Sequence, residues 1–121
     1  MRKPIISGVV VILLAVIASF AAEGAKMKIT SSAFHEGGNI PSKFTCDESD
    51  TSPPLQITGI PSNAKTLVLI ADDPDAPGGL FTHWLVWNIP AQTNSIAEGS
   101  APKGVHGTND FGKPDYKGPC P

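Results

Sequence analysis

Three carboxylates crowd one short stretch of the 121-residue chain, Asp72, Asp73 and Asp75, and His83 follows eight to eleven positions later. A carboxylate beside a histidine favours the imidazolium and fixes the ring's orientation. An oriented ring and the backbone N–H groups of a turn stiffened by Pro74 and Pro77 can hold a small anion, with the carboxylates behind the histidine rather than facing the ligand. The same residues support two other readings. Asp before Pro is ordinary turn chemistry, in which the side chain caps its own backbone. Three aspartates and a histidine are also plausible hard-cation ligands, although the prolines make the spacing unlike an EF-hand loop.

Nothing else in the chain makes a nucleophile stand out. There is no Gly-x-Ser-x-Gly, His-Glu-x-x-His or phosphate loop, so a hydrolase using His83 as base and Asp73 as orienter would lack its third member. His35 and His106 fall in turn-like stretches without obvious partners. Asn109, Asp110 and Phe111 could line a pocket, and Trp84 and Trp87 are core residues by default.

The elements that must position these groups are short strands. Twelve glycines and twelve prolines argue for many turns rather than long helices. Lys26–Ser32 alternates around a β-branched centre and reads as a first strand, and Leu55–Ile60 as a second. Leu67–Ile70 is a run of four apolar residues within Thr66–Ala71, the pattern of a strand buried on both faces. It is expected to end at Ala71, with Asp72–Gly79 as a loop. Thr82–Ile89 is expected as a neighbouring central strand, with His83, Leu85, Trp87 and Ile89 on one face and Thr82, Trp84, Val86 and Asn88 on the other. Ile96–Pro121 is rich in glycine and proline and reads as one long loop region.

Residues 1–24 form a separate unit. Arg2 and Lys3 precede the uncharged stretch Ile5–Ala22, and small residues follow it. This is the pattern of a secretory signal peptide; at about 18 residues it is also near the minimum for an N-terminal membrane anchor. Either reading places residues 25–121 outside the cytoplasm, periplasmic or secreted, with membrane contact only if the segment stays uncleaved. Without residues 1–24, which carry Arg2, Lys3 and Glu23, seven basic residues stand against ten acids, a net charge of −3. That balance gives no footing for nucleic acid. Cys46 and Cys120 are 74 positions apart; an oxidising compartment would let them pair, and two buried free thiols are the alternative. Two isolated cysteines lack the spacing of a zinc site, and no cofactor motif is present.

Asp73-Pro74-Asp75-Ala76-Pro77, Thr82-His83-Trp84 and Asp115-Tyr116-Lys117-Gly118-Pro119-Cys120-Pro121 together resemble the phosphatidylethanolamine-binding protein family, and most closely its bacterial, Raf-kinase-inhibitor-like branch. Cys46-Asp47, Ser52-Pro53-Pro54-Leu55 and Asn109-Asp110-Phe111-Gly112 extend the likeness, which runs from about Lys28 to Pro121. The resemblance implies a mainly β, sandwich-like fold with few peripheral helices and a small pocket for phosphate, acetate or a phosphorylated head group. It places the ligand-binding residues at Asp73, Asp75, Phe81, His83, Lys117 and Pro121, with Asp73 orienting His83 and with Phe81 and Pro121 as apolar walls. It implies a non-enzymatic binder of a small anionic or phosphorylated ligand, the alternative being an inhibitor or regulator of a protein target such as a kinase or protease. Family members continue into a Gly-x-His-Arg-Tyr segment with further strands that this sequence does not contain. The domain over 25–121 is therefore expected to lack its C-terminal third.

Overall fold

The computed structural model describes residues 26–121; the expected signal or anchor over 1–24 lies outside the described residues. Six strands run in the order β1 (Lys28–Thr30), β2 (Leu55–Thr58), β3 (Thr66–Asp73), β4 (Phe81–Pro90), β5 (Ser95–Ile96) and β6 (Val105–His106), and a single 3₁₀ turn spans Ser42–Phe44. They form two antiparallel three-stranded sheets, β1-β2-β5 and β3-β4-β6. Neither sheet closes on itself.

The sheets meet through their apolar faces. Ile57 and Ile96 from the first sheet pack with Leu67, Leu69, Trp84, Val86 and Ile89 from the second, and Leu55, Ile60, Ala71 and Tyr116 pad the edges of this cluster. Over the described residues the fold is thus mainly β and sandwich-like, with almost no helix. Among the described residues no helix is long and apolar enough to cross a membrane.

Strand β3 differs from the sequence expectation in two respects. Its burial alternates instead of being continuous: Leu67 and Leu69 are buried, whereas Val68 and Ile70 are 59% and 55% exposed. Only the inner face has a layer over it among the described residues, so the apolar run covers one buried face and one open one. The strand also continues through Asp72 and Asp73, which pair with Thr82 and Phe81, where a loop was expected.

Strand β4 is central as expected, between β3 and β6, but its faces are not a strict alternation. Asn88 takes a left-handed backbone conformation, φ +55°. On the partner strand the register slips between Leu67, paired with Ile89, and Leu69, paired with Val86. This bulge returns Ile89 to the core face with Trp84 and Val86, instead of leaving it with His83. A second slip lies between Ala71, paired with Trp84, and Asp72, paired with Thr82. His83 is the extra residue there, and both it and Trp84 are buried although they are neighbours in sequence.

Candidate functional site

The second bulge sets the site. Because β4 carries one residue more than β3 at this point, His83 leaves the regular ladder and turns toward the segment after Thr108, while Trp84 stays in the core. Phe81, two residues earlier, lies on the same side, its ring centroid 5.0 Å from that of His83. Phe111 meets Phe81 edge-on at 4.8 Å and lies 5.9 Å from His83.

The His83 ring is held by a backbone carbonyl. Its Nδ1 lies 2.7 Å from the Lys117 carbonyl oxygen. A carbonyl only accepts, so Nδ1 carries the hydrogen and the tautomer is fixed. Nε2 then points away from this bond and has no hydrogen-bond partner among the described residues, and His83 is one of the residues that line the neighbouring cleft. Asp73 does not serve as the orienter expected from the sequence: its Oδ1 accepts the N–H of Asp75 at 2.9 Å, closing an Asp-Pro-Asp turn. In this turn the carboxylate satisfies the backbone, as Asp before Pro commonly does.

The segment bearing Lys117 is pinned along its length. Tyr116 donates its hydroxyl to the Phe44 carbonyl at 2.6 Å and packs edge-on against Trp84. The Lys117 N–H donates to the His83 carbonyl at 3.2 Å. Gly118 donates its N–H to Asp50 Oδ1 at 2.7 Å, and Lys117 Nζ lies 3.4 Å from Asp50 Oδ2. The Cys46 N–H donates to the Pro119 carbonyl, and Cys46 and Cys120 form a disulfide with Cα atoms 5.3 Å apart. A side chain at 118 has no room, since an added Cβ would sit 2.1 Å from the Phe44 oxygen. Burial pushes the Tyr116 phenol up to about 12, and the nearby Asp50 carboxylate acts in the same direction.

Asn109 ties the preceding turn to the same place. It is buried, and all four hydrogen-bonding positions of its amide are used. Nδ2 donates to the carbonyls of His83 and Asp115, and Oδ1 accepts the N–H groups of Phe111 and Lys113. Its neighbour Asp110 closes the loop onto β4, donating its N–H to the Thr82 carbonyl and accepting the Thr82 N–H on Oδ2 at 2.6 Å.

A broad cleft of about 1420 Å³ opens beside His83. Asp72, Asp73, Pro74, His83, Trp84 and Pro119 form one side of it, and β1 with the loop through His35 forms another. The structure therefore brings Asp73 and His83 to one hollow. Phe81 stands behind His83 as its aromatic neighbour. Lys117 acts through its carbonyl, while its ammonium faces Asp50. Asp75 and Pro121 are exposed and outside the cleft lining. Among the described residues no group of three or more His, Cys, Asp or Glu side chains is arranged to hold a metal ion.

Residues 30–121 match the family described as phosphatidylethanolamine-binding protein. The chain belongs to the phosphatidylethanolamine-binding protein family. The UPF0098 protein of Archaeoglobus fulgidus is 49% identical over 92% of this chain and 42% of its own length. That of Pyrococcus abyssi is 49% identical over 81% of this chain and 59% of its own. The crystal structure of a phosphatidylethanolamine-binding protein homologue from Chlamydia trachomatis superposes with a TM-score of 0.76 at 41% identity, covering 80% of this chain and 67% of that one. E. coli YbcL, described as a new member of the mammalian PEBP family, gives 0.73 at 32% identity over 80% of this chain and 68% of its own. The chain thus spans about half the length of these two archaeal relatives. None of the four names specifies an enzymatic activity.

The sequence alone missed the contributions of Asp50 and the Lys117 carbonyl to this site, and it offered Asn109 only as a pocket-lining residue, not as the knot of four hydrogen bonds that it forms. The Asn-Asp-Phe-Gly turn was the available signal for Asn109. A backbone carbonyl has none.

Proposed function

We propose that this chain carries the part of a non-enzymatic binding module in which His83 receives a phosphate-like group, either inorganic or within a phosphorylated head group. One observation carries the reading: the Nδ1–H bond to the Lys117 carbonyl leaves Nε2 as the free nitrogen, on a buried ring that lines the cleft. When protonated, that nitrogen donates to an anionic oxygen, and such charge-assisted bonds are the stronger kind. The carboxylates of Asp72 and Asp73 line the same hollow. They disfavour a bare polyanion and favour a ligand whose negative charge ends at one group, with an ammonium or hydroxyl beyond it. The ethanolamine head group in the family's name has that form.

The test is a titration of the purified chain with phosphate and with phosphoethanolamine, read by thermal shift. Ligand at ten times its dissociation constant adds about 1.4 kcal/mol, worth several degrees for a domain of this size. Phosphoethanolamine is expected to bind more tightly than phosphate, and His83→Ala to remove both shifts while remaining folded by circular dichroism. An undiminished shift in that variant removes His83 from the site.

A second reading, a module that binds a protein target through the rim of this site, is favoured by the exposure of Leu80 and Phe111 beside it. A target captured equally well with and without saturating phosphoethanolamine would separate that role from the pocket. We also place the domain outside the cytoplasm. The Cys46–Cys120 disulfide supports this, since such bonds persist in oxidising compartments. Mass spectrometry of the chain recovered from cells would show a mature N-terminus near residue 25, and an intact Met1 would contradict cleavage.

A further inference from the structure

The disulfide and the site share one short piece of backbone. From Lys117, whose carbonyl fixes the His83 ring, to Cys120 there are three residues. The contacts between Lys117 and that end are the Gly118 bond to Asp50 and the Pro119 bond to the Cys46 N–H. Asp50 and Cys46 belong to the same loop, on which the carbonyl of Thr45 accepts the Asp50 N–H. Both cysteines are exposed, so thiols in solution reach them. None of the seven buried side chains of the core cluster belongs to this strap or to the 46–50 loop.

We propose that Cys46–Cys120 is a latch for the anion site, and that its reduction releases the strap and with it the orientation of His83. The step needs a dithiol reductant. One of its thiolates attacks a disulfide sulfur and forms a mixed disulfide while the other cysteine leaves as a thiolate. The second reductant thiolate then attacks its own sulfur, so the reductant ends as a cyclic disulfide and the protein gains two electrons and, with two protons, two thiols. With the latch open, residues 118–121 are held by backbone bonds and one carboxylate over an exposed loop, the kind of region that opens locally at low cost, while Tyr116 stays anchored to Trp84 and the Phe44 carbonyl and the Lys117 carbonyl lies at the boundary between the two. The His83 ring then loses its carbonyl partner and exchanges tautomers. The inference rests on the anion-binding reading for its consequence, but its geometry stands apart from it.

The experiment uses the whole chain, oxidised or reduced with dithiothreitol, the redox state being confirmed by thiol alkylation. Two quantities are read: the ¹⁵N signals of the His83 ring and the affinity for inorganic phosphate. Expected for the oxidised protein is a single Nδ1–H tautomer. Expected for the reduced protein is a mixed population and affinity lowered roughly fivefold, the scale of one lost hydrogen bond, with β-sheet circular dichroism retained. Reduced protein that keeps the single tautomer overturns the latch, and so does reduction that unfolds the core. If oxidised protein binds no phosphate, the functional reading fails, while the ring signals still decide whether the latch exists. Cys46→Ser/Cys120→Ser, free of reductant, should reproduce the reduced ring signals; a double variant with the oxidised pattern also refutes the proposal.

Discussion

Replacing Asn109 by aspartate changes one atom and should cost more than its size implies. Only one amide orientation fits its surroundings: the two groups near Nδ2 are carbonyls and the two near Oδ1 are N–H donors. In Asn109→Asp the nitrogen becomes an oxygen facing the carbonyls of His83, at 3.1 Å, and Asp115, at 2.7 Å. Two hydrogen bonds are lost, at about 1 kcal/mol each. A charge is also placed in a buried position against two negative dipoles, or the carboxyl takes up a proton and restores one bond. The His83 carbonyl keeps its second donor, the Lys117 N–H, which limits the damage there. The balance is a loss of about 3 kcal/mol.

Urea unfolding measures this directly. For a domain of this size the midpoint should fall by about 1 M or more at unchanged slope. Asn109→Ala is the informative companion. If the residue mattered only for its volume, aspartate would be nearly neutral and alanine costly. If the bonding pattern matters, aspartate is at least as harmful as alanine, because the alanine variant frees N–H groups of Phe111 and Lys113, both exposed residues whose donors can turn to water. An Asn109→Asp protein within about 0.5 kcal/mol of wild type refutes the reasoning.

Three further outcomes are expected. Gly118→Ala should lower stability by about 3 kcal/mol or more, because its Cβ meets backbone that has no room to withdraw; restoration of wild-type melting would show that the strap can shift. Tyr116 has a folded-state value of about 12 against an ordinary 10.0, so its contribution is complete below pH 10 and is lost as the pH rises toward 12. The loss is on the order of 2 kcal/mol, and Tyr116→Phe should flatten that part of the stability–pH curve; an unchanged slope refutes the assignment. Leu69→Ala should cost about 2–4 kcal/mol and Val68→Ala less than about 1, a contrast that would vanish if β3 were buried on both faces.

Much of the sheet was legible because its strands are short, apolar and bounded by turns. Thr66–Ala71 and Thr82–Ile89 fall within two residues of β3 and β4. The burial of β3 was not legible: Leu67–Ile70 has the same composition whether one layer or two cover it, and covering depends on what the rest of the chain supplies. The two-residue strands β5 and β6 carry too few residues for a period to show. The cysteine pair remained open because 74 residues of separation say nothing about distance in space. The pairing rests on the strap returning to the 46–50 loop through Gly118 and Asp50.

The site was legible by residue type but not by connection, and the reason is the bulge. A strand of period two sends neighbours to opposite faces, so the pattern read from Thr82–Ile89 predicts that His83 and Trp84 part company, one inward and one out. The inserted residue in β4 removes that constraint locally. Trp84 goes to the core beside Tyr116, 2% exposed, while His83 is buried under the strap that follows Tyr116. One segment, Tyr116-Lys117, therefore contacts both consequences of the bulge, packing on the tryptophan and accepting from the histidine. A regular ladder here would have let only one of these contacts form. The aspartates depend on the same offset, since Asp73 stands opposite Phe81 only because the register slips before Asp72. The acid-rich turn and the imidazole share a cleft because the sheet is irregular at this point, and hydrophobic pattern does not report irregularity of one residue.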